Sequence, residues 1–329
     1  MPRHLKPLVC LFVSVLFLFV GQDFARATER GPADKEIKKA QRIMDQLGAL
    51  SRAASTPSNF KSTVSTSYPQ LYVRVASLRE GLLKTDLATA VYLYEKAFLV
   101  QHEDDTISAD CGLEVRELYR NICRMNGGLT RSQLLLAKAH LHMDWADTLI
   151  RYYQGARDLQ TVDTIAEINR ERLIDLRLSE GFVSILQTLE RDVNSYASLG
   201  EFEAHNRVAK VSFDQLSNDF KKASDACLPV LTSLPRNSLT YHLQNALNSY
   251  ADGLFWWQKT YKRKEIVVSA QNWTEPPPRN PLGFDAAGVD YAVVSNWRKA
   301  GRHIAIAQGE IERSRSESIG SVSVARVRP

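Results

Sequence analysis

The sequence lacks the short motifs that most often announce chemistry. It has no G-x-S-x-G and no Gly-rich phosphate loop, which removes the usual supports for serine hydrolysis and nucleotide binding. H-E-x-x-H, C-x-x-C and C-x-x-C-H are also missing, and with them the zinc-protease, thioredoxin-like and c-haem readings. Charge of one sign is scarce too. Lys and Arg number 42 against 37 for Asp and Glu, a net +5 that implies neither nucleic acid nor an anionic surface as partner. No strand-like alternation stands out, no cofactor is implied, and beyond the amino terminus no apolar run is long enough to span a membrane.

What is present begins at that terminus. Arg3, His4 and Lys6 precede an apolar run from Leu8 to Val20, broken by Ser14, and then comes Ala25-Arg26-Ala27. This is the basic, apolar and small-x-small order of a secretory signal, and it predicts cleavage after Ala27. As a helix the run reaches only about 20 Å, short of a membrane core of about 30 Å. Cys10 lies inside the run rather than at its end, which argues against a lipid anchor there. A periplasmic or secreted protein is expected, with residues 1–27 contributing +2 of the net charge and leaving +3.

Cys111, Cys123 and Cys227 then remain. An oxidising compartment favours one disulfide and leaves one thiol. On one continuous helix, residues twelve apart stand about 18 Å from each other, too far to bond. Either Cys111 folds back from a loop to meet Cys123, the pairing preferred here, or Cys227 is the partner; buried free thiols are the third option.

The apolar residues recur at helical spacing along most of the chain, so an all-α fold is expected: a bundle of long antiparallel helices with a Pro-rich connecting arm before the last one. Ile37, Ala40, Met44 and Leu47 form the first stripe; Leu71, Val75, Leu78 and Leu82 the next. Leu87, Val91, Tyr94 and Phe98 follow Thr85-Asp86, read as a helix start. Residues 51–68, rich in Ser and Thr and broken at Pro57, read as a linker. Val115, Leu118, Ile122 and Met125 suggest a short helix, and Thr130-x-x-Gln133 reads as a capping box opening a helix to about Arg157. Pro229 and Pro235 are expected to close the stripe that runs from Phe213 to Cys227. The stretch that organises the chain is Ser238 to Glu265, where Phe255 and Trp256 widen the stripe of Leu243, Leu247, Tyr250, Leu254, Trp257 and Tyr261 until the helix is apolar over most of its girth for one turn. Such a helix is expected to be central and covered on several sides. The domain reading is a helical bundle over 28–265, a Pro-rich arm over 266–288, a helix packing on the bundle over 289–314, and a disordered tail over 315–329. The 34-residue period of tetratricopeptide units finds no second copy.

Candidate sites are few. His140, Asp144 and Asp147 share a helix face at i, i+4 and i+7 and can present imidazole and carboxylate to a cation, whereas His142 is out of step with them. The plainer reading of that face is solvated, with Asp147 pairing with Arg151. Tyr250, Trp256, Trp257 and Tyr261 could stack on a ring-bearing ligand, although an aromatic stripe of this spacing more often forms core. The acidic segment 102–110 does not follow the EF-hand pattern. Glu317-Ser318 matches the catalytic pair of lytic transglycosylases, but it lies in the Ser- and Arg-rich tail. The leading expectation is an exported, non-catalytic helical protein that binds another envelope protein or a wall component. The alternatives are a small-molecule-binding bundle, or an enzyme whose site assembles from distant residues such as His140 and Asp144.

Overall fold

The computed structural model of the chain describes residues 32–53, 60–101, 111–125, 129–197, 209–260, 265–268 and 286–325. The predicted signal segment, the acidic segment, Tyr261 and most of the Pro-rich arm lie outside them. The helices are α1 (Asp34–Ala53), α2 (Phe60–Ala76), α3 (Leu82–Gln101), α4 (Glu117–Met125), α5 (Arg131–Tyr153), α6 (Leu159–Ala197), α7 (Phe213–Ser233), α8 (Ser238–Thr260) and α9 (Ala286–Ala325), with a 3-10 turn at Cys111–Leu113 before α4. The fold is an all-α bundle. Among the described residues its one addition is a ribbon of two four-residue strands, β1 (Ala209–Ser212) and β2 (Glu265–Val268), antiparallel from Ala209 opposite Val268 to Ser212 opposite Glu265.

Two apolar cores divide the helices. The first gathers Ile37, Tyr68, Leu87, Val91, Trp145 and Leu149 from α1, α2, α3 and α5. The second gathers Leu186, Leu216, Leu243, Tyr250, Trp257, Val293 and Trp297 from α6, α7, α8 and α9. Helix α6 serves both, with Ile168 in the first core and Leu176 to Leu189 in the second. At 39 residues it is about 58 Å long, enough to run past both. The aromatic-rich helix α8 is central to the second core alone. The turn between α7 and α8 ties the cores together: the Arg236 amide donates to Thr89 Oγ1 at 2.8 Å, and its guanidinium lies 3.6 Å over the Tyr92 ring.

Several sequence expectations need correction. Much of the linker expected over 51–68 is helix, because Tyr68, Leu71 and Val75 bury against the first core and override the weak propensity of Ser and Thr. Pro69 and Pro229 lie inside α2 and α7, each removing one ladder bond without ending its helix. Buried Cys227 and Leu231 hold α7 on both sides of Pro229. Phe255 and Trp256 are 50% and 42% exposed, so α8 buries one broad face and not its girth. In α4 the buried residues are Tyr119 and Cys123, while Met125 is 79% exposed. The arm's first residues are strand, and its last ones already belong to α9. Helix α9 also continues through the expected tail to Ala325.

Candidate functional site

Cys111 and Cys123 are bonded, with Cα atoms 5.7 Å apart. The 3-10 turn at Cys111 supplies the fold-back that a straight helix cannot. This staple rotates α4 so that Tyr119 and Cys123 point inward, and it holds Arg116, 2% exposed, at the helix entrance. Opposite, the capping box at Thr130 fixes the start of α5: Gln133 N donates to Thr130 Oγ1 at 3.2 Å, and Thr130 N donates to Gln133 Oε1 at 2.9 Å. Along α5, Leu134, Lys138, His142, Trp145 and Leu149 form one buried face. Lys138 and His142 are thus polar members of an otherwise apolar stripe.

These residues form a buried chain of hydrogen bonds. Arg116 Nη1 lies 3.1 Å from Tyr119 Oη, Tyr119 Oη lies 2.8 Å from His142 Nε2, and His142 Nδ1 lies 2.7 Å from Asp86 Oδ1. Arginine only donates, so the Tyr119 oxygen accepts from it. With the Tyr119 O–H donating to Nε2, His142 as its Nδ1–H tautomer donates to Asp86 and each bond carries one proton. Two cations flank the phenol ring, Arg116 at 4.7 Å and Lys138 Nζ at 4.5 Å from its centroid, and Lys138 is paired with Glu114. The Trp145 ring meets the His142 ring edge-on at 5.1 Å.

The other side of Arg116 faces α6. Its Nη2 donates to Glu171 Oε2 at 2.6 Å, and its Nη1 lies 3.3 Å from Asp175 Oδ1. Glu171 and Asp175 are one turn apart on one helix face. Burial raises the Asp175 carboxyl to about 7, although Arg116 pulls the other way. Asp86 is likewise raised by burial against the pull of His142. Arg116 itself is held above its ordinary value: burial lowers it, but Tyr119, Asp175 and Glu171 together outweigh that.

Asp86, His142, Glu171 and Asp175 all reach one wall of a cavity of about 530 Å³. It lies where the cores meet. Trp145 and Ile168 come from the first core, Leu176 and Leu239 from the second, and Asn237, Ser238 and Thr240 from the start of α8. Asn237 caps that helix, its Oδ1 accepting from Thr240 N at 2.9 Å. The volume falls within the range of small-molecule sites, and the wall combines aromatic, aliphatic and polar surface as such sites do. Both His142 nitrogens are engaged, so the imidazole offers no free nitrogen to a substrate. The chain presents fixed dipoles and the carboxyls of Asp86, Glu171 and Asp175 to the cavity.

The residues singled out from sequence stand elsewhere. His140, Asp144 and Asp147 lie on the exposed face of α5, and Asp147 Oδ2 is 3.3 Å from Arg151 Nε. Among the described residues no group of three or more His, Cys, Asp or Glu is disposed to hold a metal. Tyr250 and Trp257, each 2% exposed, are core: Trp257 packs edge-on against Phe213 at 5.2 Å and Trp297 at 6.3 Å. Trp256 faces outward, and Tyr261 lies outside the described residues. Sequence reasoning missed Arg116, Glu171 and Asp175, and it took Asp86 for a helix start although α3 begins at Leu82. One signal was available: Lys138, His142, Trp145 and Leu149 repeat at 4, 3 and 4, which places a lysine and a histidine on an apolar face.

Compared with protein-family models, characterised proteins and solved structures, the chain matches none.

Proposed function

We propose that this chain is an exported helical protein that binds a small polar molecule, without transforming it, in the cavity between its two cores. The observation that carries the reading is the Arg116–Tyr119–His142–Asp86 chain, which ends at the cavity wall beside Glu171 and Asp175. A buried polar chain hydrogen-bonded from Arg116 through to Asp86 makes a rigid, pre-oriented wall. Export is supported by the basic, apolar and small-x-small amino terminus together with the Cys111–Cys123 bond, which persists in oxidising compartments. Amino-terminal sequencing of the exported protein should begin at Thr28; an uncleaved terminus would refute the export signal.

Native mass spectrometry of the protein from its exported fraction tests the binding reading. A bound mass of a few hundred daltons is expected. Ser179→Phe, which adds a ring at the cavity wall, should lower occupancy at least about ten-fold with helicity unchanged. Unaltered occupancy in that variant would place the ligand elsewhere, and a bare wild-type chain would overturn the reading. Asp175→Asn supplies a pH signature. The folded carboxyl holds its proton up to about 7, whereas the unfolded one loses it near its ordinary value of about 4. The fold therefore binds more protons between those limits, and its stability falls as pH rises from about 4 to about 7. The asparagine variant, always neutral, should flatten that fall and be more stable at pH 8 by on the order of 2 kcal/mol.

The exposed Phe255 and Trp256 favour a second reading, docking of another envelope protein on α8. Crosslinking in the native envelope through position 256 should trap that partner, and an uncrosslinked chain would discard the reading.

A further inference from the structure

On the seam between α8 and α9, two imidazoles face each other. His242 Nδ1 and His303 Nδ1 stand 2.9 Å apart, with ring centroids 5.1 Å apart. Both residues are half-buried, and the Tyr241 ring meets them edge-on at 5.3 and 6.4 Å. Buried Leu243, Ala246, Ala300 and Ile304 fix the seam beneath them. On the same seam Ser238 Oγ donates to Glu310 Oε1 at 2.7 Å. One Nδ1–H must donate to the other Nδ1, so the pair holds a single proton between two lone-pair nitrogens. Burial, then His242 and Lys299, push His303 below its ordinary value and favour this neutral form.

We propose that His242 and His303 form a two-imidazole site for a divalent transition metal of tetragonal preference, Cu(II) foremost. The distance selects the geometry. With metal–nitrogen bonds of about 2.0–2.1 Å, nitrogens 2.9 Å apart subtend about 90° at the metal, the cis angle of a square-planar or octahedral centre. A tetrahedral zinc would hold the same nitrogens about 3.3–3.4 Å apart. Among tetragonal ions imidazole binds Cu(II) most tightly, with Ni(II) below it. The incoming ion sits to one side of the line between the two nitrogens; the ring that held the shared proton gives it up to solvent and takes one from solvent at Nε2, so both rings stay neutral and each Nδ1 donates its lone pair. No third His, Cys, Asp or Glu among the described residues completes the shell, so water fills the other positions and the site stays open to exchange. Lys299, exposed one turn before His303, opposes the cation and limits affinity.

The test is a titration of chelator-stripped, full mature protein with Cu(II), read by calorimetry and electron paramagnetic resonance. One strongly bound Cu(II) per chain is expected, with an axial spectrum showing hyperfine splitting from two imidazole nitrogens. His242→Ala and His303→Ala should each weaken binding at least about ten-fold and remove the two-nitrogen pattern, with helicity unchanged. His303→Gln, which keeps size and polarity, replaces the alanine variant if that loosens the seam. Lys299→Ala should tighten binding, and His140→Ala, on another surface, should leave it unaltered. Undiminished Cu(II) binding in the double variant His242→Ala/His303→Ala would overturn the proposal. So would a wild-type chain that binds no Cu(II) at micromolar concentration.

Discussion

Around α5 the first core encloses Asp86, Arg116, Lys138 and His142. Across α6 the second core encloses Trp257 and Trp297, and its buried polar side chains among the described residues, Ser179, Ser233, Thr240 and Ser249, carry no charge. The first region is stapled by the Cys111–Cys123 bond, while the second holds Cys227 as a buried thiol that burial raises to about 12, inert toward oxidation at neutral pH. Helices of similar length and composition thus serve different ends. An aromatic and aliphatic core stabilises by area and fit, whereas a core with charges must satisfy each one and gains specificity more than stability. The cavity lies where the two regions meet, and the first contributes the Asp86 and His142 end of its hydrogen-bonded chain to the wall.

The largest expected effect sets the two cores against each other. Arg116→Ala strands Glu171 and Asp175 without their cation and should cost about 3–5 kcal/mol. Trp257→Ala empties a packed site and should cost a similar amount, about 3–5 kcal/mol. Denaturant unfolding at pH 5 and pH 8 separates them. The Arg116 deficit should shrink at pH 5, where Asp175, raised by burial, holds its proton, and the Trp257 deficit should not change. Equal pH dependence would break the distinction between the cores. Next in size is the staple: closing a loop of this length stabilises by about 3 kcal/mol, and double replacement of Cys111 and Cys123 by serine should lower the melting temperature accordingly. Hydrogen exchange should then rise in α4 and leave α8 protected.

The smallest effect concerns fit within the second core. A Cβ at Gly253 would stand 2.8 Å from Trp297 Nε1 and 3.0 Å from Cδ1, so α8 and α9 meet there with no room to spare. Gly253→Ala should destabilise by about 1–2 kcal/mol despite the better helix former, because the indole is held on all sides. At Gly301 the nearest atom is Oε1 of Glu190, the end of a flexible side chain, and Gly301→Ala should be neutral or better. Thermal melts of both variants read the difference directly.

The second core was the more legible of the two. Val293, Trp297, Ala300, Ile304, Ala307 and Ile311 are all buried, as their heptad spacing requires, and so are Leu87, Val91, Tyr94 and Phe98 in the first. Periodicity reports which face of a helix is apolar, and burial of apolar area follows from that face alone. The capping box at Thr130 is equally local and formed as expected. The charged chain was not legible. Arg116, His142, Asp86 and Glu171 come from four separate segments, and apart from His142, which sits on an apolar stripe, each by itself looks like a solvated polar residue.

From the chain alone came the all-α class, most of the buried faces and the preference for Cys111 pairing with Cys123. All of these rest on interactions within one helix or a dozen residues. Tertiary structure alone decided that α6 spans two cores, that Phe255 and Trp256 face outward, and that His142, rather than His140, turns inward to an aspartate 56 positions away. The physical reason is the range of the forces involved. Helical periodicity and capping act over a few residues, while the cost of burying a charge is settled only by which partner the fold carries to it.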